Sequence, residues 1–298
     1  MGDGVREAPF DGSVTAATMD GSVWLRNHKE VAVRLGDQGR YVGISTIGPD
    51  GTPYGRTPKP SNLRGFAPSP GPALLAPDGT VWVRGTSKQE GADRRPRLAR
   101  LDDEGWARIA PPDAMKGKPR RGIYSWGATA DGSVYATVGG PGKKRWMYRF
   151  RDDGWEELPT PPDGVGDIRV GHDGAVWGFG DRRLARLEDG RWISHHLFDL
   201  LPALRIPEVD VFGAAVAADG ALWFFVDHAN GCTGPARFDG STITLLMENY
   251  CGTVPVAAPD GNVWVTAIPY ERVGAPDYSS ADLGLYVITP AAVAAARE

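Results

Sequence analysis

The sequence predicts an all-β chain, a six-bladed β-propeller of four-stranded antiparallel blades, on three observations. A five-residue phrase (Asp-Gly, a small or polar residue, Val or Leu, an aromatic) is written six times, ending at Trp24, Trp82, Tyr135, Trp177, Trp223 and Trp264. Spacing of roughly 40 to 60 residues between like phrases marks an array of repeated units. Each phrase is embedded in two strand–turn–strand patterns, and the N-terminus offers a strand that the last repeat lacks.

Each repeat reads in the same order. First comes a short run of small and apolar residues, such as VTAATM, AAVAA or VPVAAP. Asp-Gly then makes a tight hairpin turn, because glycine accepts positive φ and the Asp carboxylate takes a nearby backbone N–H. The phrase aromatic opens an alternating run such as VWLRN or LWFFV, the period of a strand. A third and fourth strand follow around a second turn, as in LARLDDEGWARI, MYRFRDDGWEEL and RLARLEDGRWISHH. The small first strands suit a crowded central channel. The tryptophans of the phrase, and Trp106, Trp155 and Trp192 in fourth strands, suit packing between blades.

DGTPY at Asp50 would make a seventh phrase, but it stands too close to its neighbours for a full blade on each side. Residues 49–72 also hold seven prolines, which interrupt paired strands. This stretch reads as an insertion in a single domain spanning 1–298. The last repeat shows a third strand in GLYVITP and no fourth, and the N-terminal VREAP can supply it; AAVAAARE reads as a short helical end.

Composition is that of a soluble globular protein, 41% hydrophobic and 23% charged. No run is apolar enough for a membrane span, and MGDGVREAPF lacks the pattern of a signal peptide. The chain as written is expected in the cytoplasm, or outside it if its cysteines pair and a leader has been removed. A monomer is expected. The formal charge of −4 conceals a division. Residues 84–151 carry 16 basic and 7 acidic side chains, and residues 152–298 carry 9 and 22. A field so divided selects ligands by sign. Nucleic acid is not expected as a partner, since no basic groove interleaved with aromatics is evident.

In such a blade the first-to-second and third-to-fourth turns share one face, and here they are uniformly short. The other connections are long: residues 49–72, 84–97, 111–123, 139–145, 195–210, 227–235 and 268–283. Elaborated loops on a rigid scaffold carry function, so the site is expected at the long-loop mouth of the channel. Lys88, Arg94, Arg95, Arg97, Lys116, Lys118, Arg120, Arg121, Lys143, Lys144 and Arg145 fall in these loops on one side. Glu208, Asp210, Asp227, Glu271, Asp277 and Asp282 fall on the other. Cys232 and Cys251 are placed in a second-to-third and a fourth-to-first loop of the fifth blade, where a disulfide is sterically reasonable.

Candidate site residues follow from that face. Asp227 and His228 end the LWFF strand and are the candidate catalytic pair. Candidate ligand-binding residues are Arg26 and Arg84, placed at the ends of second strands and able to take a carboxylate or phosphate. Tyr124, Trp126 and Phe212 join them as aromatics near the mouth, with Asp210 beside them. Trp126 replaces the small residue usual in a first strand and is expected to project into the channel. His28, His172, His195 and His196 are read as loop or turn residues. The residues themselves specify no metal ligand set.

The phrase DG-x-(V/L)-W, the ARL/ARF strand and the following DG-x-W resemble two groups over nearly the whole chain. LARLEDGRWISHH is similar to the two-component-regulator propeller repeats, which are sensory or interaction modules. DGxVW with EELPTPP resembles the virginiamycin B (streptogramin) lyase family. That resemblance implies ring opening by elimination, with a magnesium ion and histidines on the channel face. The positions answering to those histidines are about Phe212 and Thr253 here, and VWGFG and VWVTA lack the family's strand-end carboxylate. Its catalytic residues are therefore not carried over. Two functions are expected: recognition of a small anionic or zwitterionic molecule or a peptide, or lyase, hydrolase or cyclase chemistry at the channel mouth.

Overall fold

The computed structural model describes ten strands between residues 5 and 87, then residues 96–102, 105–115, 122–129, 131–139, 145–171, 173–201, 210–228, 231–252, 254–258, 260–273 and 284–296. Ahead of residue 98 its side-chain description is confined to Trp82.

Six antiparallel sheets of four or five strands follow one another along the described residues, with one two-stranded pair besides. The first holds Ser13–Ala17, Val23–Arg26, Ala32–Leu35 and Tyr41–Ile44. In the second, Val81–Ser87 pairs on one edge with Phe66–Pro68 and Leu74–Leu75, and on the other with Pro96–Asp102, which Gly105–Arg108 follows. The third holds Gly122–Ala128, Val134–Gly139, Arg145–Arg151 and Gly154–Leu158. The fourth holds Asp167–Val170, Val176–Gly180, Arg183–Glu188 and Arg191–His196. The fifth holds Asp210–Val216, Leu222–His228, Gly231–Phe238 and Ile243–Leu245.

In the sixth, Val263–Pro269 pairs with two short pieces, Tyr250–Gly252 and Val256–Ala257, and with Gly284–Ile288. Its outer edge is the N-terminal strand Val5–Ala8, in register from Val5 opposite Ile288 to Ala8 opposite Leu285. Within the proline-rich stretch, Pro53–Tyr54 pairs with Thr46–Ile47, while Phe66–Pro68 joins the second sheet.

The repeated turn has the predicted chemistry. The carboxylates of Asp131, Asp173, Asp219 and Asp260 accept from the backbone N–H two residues on, at Ser133, Ala175, Ala221 and Asn262, over 3.0, 3.0, 3.1 and 2.9 Å. The glycine between has positive φ each time, for example +78° at Gly220. This is the side-chain-to-backbone turn that Asp favours and a Cβ opposes.

First strands of successive sheets lie side by side, third against fourth, fourth against fifth, fifth against sixth, and the sixth against the first. Their spacing demands small residues: a Cβ on Gly127 would stand 2.8 Å from Val170 Cγ2, and one on Gly171 would stand 2.7 Å from Val216 Cγ1. Such approaches lie well inside van der Waals contact and are tolerated only without a side chain.

The core lies between sheets. Trp82, Trp177 and Trp223 are buried and Trp264 is half-buried; Trp24 and Trp106 have side chains outside the described residues. Trp177 and Phe179 of the fourth sheet pack with Leu222, Phe224, Val226 and Phe238 of the fifth. Half-buried Trp155 and Trp192 donate their indole N–H to carbonyls that close the preceding sheet, Ala110 at 2.6 Å and Pro159 at 2.9 Å. The C-terminal helix Pro290–Ala295, capped by the Thr289 hydroxyl, covers the core of the fifth and sixth sheets with Ala292.

Candidate functional site

At the long-loop end of the third sheet, the first strand carries an extra residue. Ile123 pairs with Val138 and Ser125 with Thr137, which leaves Tyr124 in a β-bulge. A bulge re-aims the side chain it frees, and Tyr124 is 44% exposed. The Arg145 guanidinium lies over its ring, 4.3 Å from the centroid. Gly139 makes this possible, because a Cβ there would stand 2.9 Å from Arg145 Cδ. Gly122, Gly139 and Arg145 share one register level at the mouth of the sheet. An aromatic face and a cation at van der Waals distance attract each other, and together they offer a flat apolar surface beside a fork of N–H donors.

One residue deeper, Ser125 is buried and joins the third sheet to the fourth. Its hydroxyl donates to the Ile168 carbonyl at 2.9 Å and accepts from the Ile168 N–H at 3.0 Å. Next to Ile168 is Arg169, which sequence reasoning missed. Its Nε donates to the Ala214 carbonyl of the fifth sheet at 2.7 Å, and its Nη1 to the Ile168 carbonyl at 2.8 Å. Nη1 also lies 3.5 Å from Ser125 Oγ, and the guanidinium carbon is 5.2 Å from the Phe179 ring centroid. Burial pushes the Arg169 guanidinium below its ordinary value, and Asp167 pulls it back in part.

The chain matches no protein-family model and no curated protein. Its fold does match solved structures. It is similar to a gluconolactonase from Xanthomonas campestris at 11% identity and TM-score 0.52, over 94% of this chain and 86% of that one. A calcium-binding protein, regucalcin, from Agrobacterium tumefaciens aligns at 14% identity and TM-score 0.51, over 95% and 92%. The β-propeller domain of the trilobed protease from Pyrococcus furiosus aligns at 10% identity and TM-score 0.50, over 92% and 78%. The fold is a β-propeller. Identities this low establish the fold and leave the activity open.

In this propeller several sequence expectations are relocated. Trp126 is half-buried and packs against the core shared by the second and third blades. Phe212 pairs with Phe225, two residues past Trp223, and the bulge in its strand falls at Gly213. Phe212 is therefore level with Ser125, which pairs with Thr137 two residues past Tyr135, rather than with Tyr124. Arg84 stands opposite Leu98, three residues before its strand ends at Ser87, not at the strand end. Arg26 does end its strand, opposite Ser13 and Ala32.

The expected loop 227–235 is largely strand. Asp227 pairs with Cys232 and His228 with Gly231, so only two residues connect the strands. The register also sets Asp210 opposite Asp227. The side chains of Arg26, Arg84, Asp210, Phe212, Asp227 and His228 lie outside the described residues. So do most of the long basic loops, apart from Arg145.

Cys232 and Cys251 form a disulfide, with Cα atoms 5.1 Å apart. Both lie in strands, and Cys251 belongs to the sixth sheet, so the bond joins two blades instead of closing loops of one. His195 packs edge-on to Phe238, and His196 Nδ1 accepts from the Phe198 N–H to cap Leu197–Leu200. Among the described residues no three His, Cys, Asp or Glu side chains come together to hold a metal, so nothing there fits the magnesium ion that the resemblance implies.

Proposed function

We propose that six blades close into a ring, with Val5–Ala8 completing the last, and that the propeller binds a small anionic or zwitterionic molecule, or a peptide, at the long-loop mouth. The pairing of Val5–Ala8 with Gly284–Ile288 and the packing of the first sheet on the sixth support the ring. The site reading is carried by one observation, the bulged and exposed Tyr124 with Arg145 over its ring. A carboxylate or phosphate meets the guanidinium fork in a charge-assisted contact, while the ligand's apolar body lies on the tyrosine. The disulfide favours an oxidising compartment.

The test is thermal stability against a panel of anionic metabolites, peptides and sugars, each with Mg²⁺ and with EDTA. A ligand of the native state raises the transition by mass action. Stabilisation by an anion irrespective of EDTA supports a binding module, and no shift with any anion contradicts it.

A hydrolase or lyase reading is favoured by a different observation, the register that opposes Asp210 and Asp227 beside His228. Opposed acidic residues on neighbouring strands, with a histidine next in sequence, supply the residue types that acid–base chemistry uses. The gluconolactonase likeness accords with that chemistry. Stabilisation by Mg²⁺ that EDTA abolishes, with turnover lost in Asp227→Asn, selects this reading.

A further inference from the structure

Opposite the phrase aromatic, each first strand offers one residue. The register places Ala16 opposite Trp24, Leu74 opposite Trp82, Gly127 opposite Tyr135, Ala215 opposite Trp223 and Val256 opposite Trp264. The fourth blade alone puts a charge there, Arg169 opposite Trp177. A guanidinium at a position otherwise small or apolar is not explained by packing.

Its surroundings point to a missing counterpart. Arg169 is gripped by groups of three successive first strands: the Ser125 hydroxyl of the third blade, the Ile168 carbonyl of the fourth and the Ala214 carbonyl of the fifth. Asp167 offsets its burial only in part, and no carboxylate comes within ion-pair distance of it among the described residues. Its bonds there fall on Nε and Nη1 and leave Nη2 without a partner. Carbonyl oxygens orient the fork without neutralising it. A cation stripped of much of its water is costly unless an opposite charge meets it. The bonds on Nε and Nη1 hold the fork rigidly, so the remaining N–H groups are pre-organised for an acceptor.

We infer that Arg169 is the anion receptor of the channel, its Nη2 taking an oxygen of the ligand's carboxylate or phosphate one step below the Tyr124–Arg145 surface. This rests on the long-loop mouth being the binding site, and it narrows the ligand to one bearing a terminal oxyanion. Uncharged sugars and cationic ligands are excluded as full occupants of the site. Ser125 is a positioning residue, since it holds Ile168 and the Arg169 fork together.

The test is NMR of the protein with ¹⁵N-labelled arginine, following Nε–Hε resonances during separate titrations with acetate and with inorganic phosphate at constant ionic strength. Arg169 is assigned by the loss of its signal in Arg169→Lys. The Arg169 resonance is expected to shift and saturate with one or both anions, and which of them binds more tightly tells carboxylate from phosphate. Arg149, engaged with Glu156 on the surface, is the control that stays still. In Arg169→Lys, which keeps the charge and loses the fork, the same anion binds about tenfold or more weakly, the weight of one charge-assisted hydrogen bond. An Arg145 resonance that responds while Arg169 stays silent keeps the mouth as a site and overturns this inference. Silence at both overturns both. The wild-type titration separates these outcomes even where the lysine variant folds poorly, because backbone-to-side-chain correlation then supplies the assignment.

Discussion

Trp177 of the fourth blade donates its indole N–H to the carbonyl of Gly220, the turn glycine of the fifth blade, across 2.9 Å. One side chain thus fastens a core position to the next repeat's Asp-Gly turn, and it is fully buried in doing so. Trp177→Phe leaves the Gly220 carbonyl without its donor and opens a small cavity. It is expected to cost about 2–4 kcal/mol, read as a lower urea midpoint with an unchanged slope.

Gly220 and Gly154 separate the two uses of glycine. Gly220 has φ of +78°, and a Cβ there would stand 2.8 Å from Asp173 Oδ2. Gly220→Ala is expected to destabilise by about 1–2 kcal/mol. At Gly154 the nearest heavy atom to an added Cβ is 3.7 Å away, and Gly154→Ala should stay within about 0.5 kcal/mol of the parent. Calorimetry of the two variants side by side checks the contrast.

Acid sensitivity follows from Asp239. Burial raises its carboxyl, but the Thr242 and Ser241 N–H groups, the Ser241 hydroxyl and Arg237 together hold it at about 2, below the ordinary 3.8. A carboxyl depressed in the folded state contributes stability above its unfolded pKa and loses it as pH falls through the folded value. The gap between parent and Asp239→Asn is therefore full above pH of about 4 and closes towards pH of about 2. Melting temperatures across that window measure it. Asp131 and Asp219 shift in the same direction.

The Cys232–Cys251 bond closes a sequence separation of 19 and joins the fifth blade to the sixth. Reduction is expected to cost about 3 kcal/mol from the regained freedom of the unfolded chain. A melting transition that falls with reductant in the parent, and is indifferent to it in the Cys232→Ser, Cys251→Ser double variant, is the expected result.

Local chemistry was readable from the residues, and long-range register was not. Asp-Gly specifies its turn within four residues, and the four described turns have the predicted carboxylate bond and positive φ. The cysteine pair and the spare N-terminal strand were likewise visible, because each left an unmatched feature in the repeat. The sequence places Tyr124 among the mouth aromatics, yet nothing local announces a bulge, which is set by the pairing of Ile123 and Ser125 with another strand. Nothing in the residues around Arg169 marks it out. Only the pairing of first strands with their phrase aromatics exposes it: the opposed residue stands eight positions before the aromatic in every repeat, a constant spacing that gains meaning once the register is known. A bulge at Gly213 rather than one residue earlier separates the level of Phe212 from that of Tyr124, and the short connection after His228 places Cys232 in a strand.

Ligand recognition at the long-loop mouth, on Tyr124 and Arg145, is tested most directly by one measurement. It is the anion-induced rise in melting temperature of the parent, Tyr124→Ala and Arg191→Ala. Arg191 is an exposed residue beside the short turn on the opposite face. An anion that stabilises the parent is expected to stabilise Arg191→Ala equally and Tyr124→Ala much less. Equal stabilisation of Tyr124→Ala and the parent, with the shift lost in Arg191→Ala, would contradict recognition at the mouth and move the site to the other face.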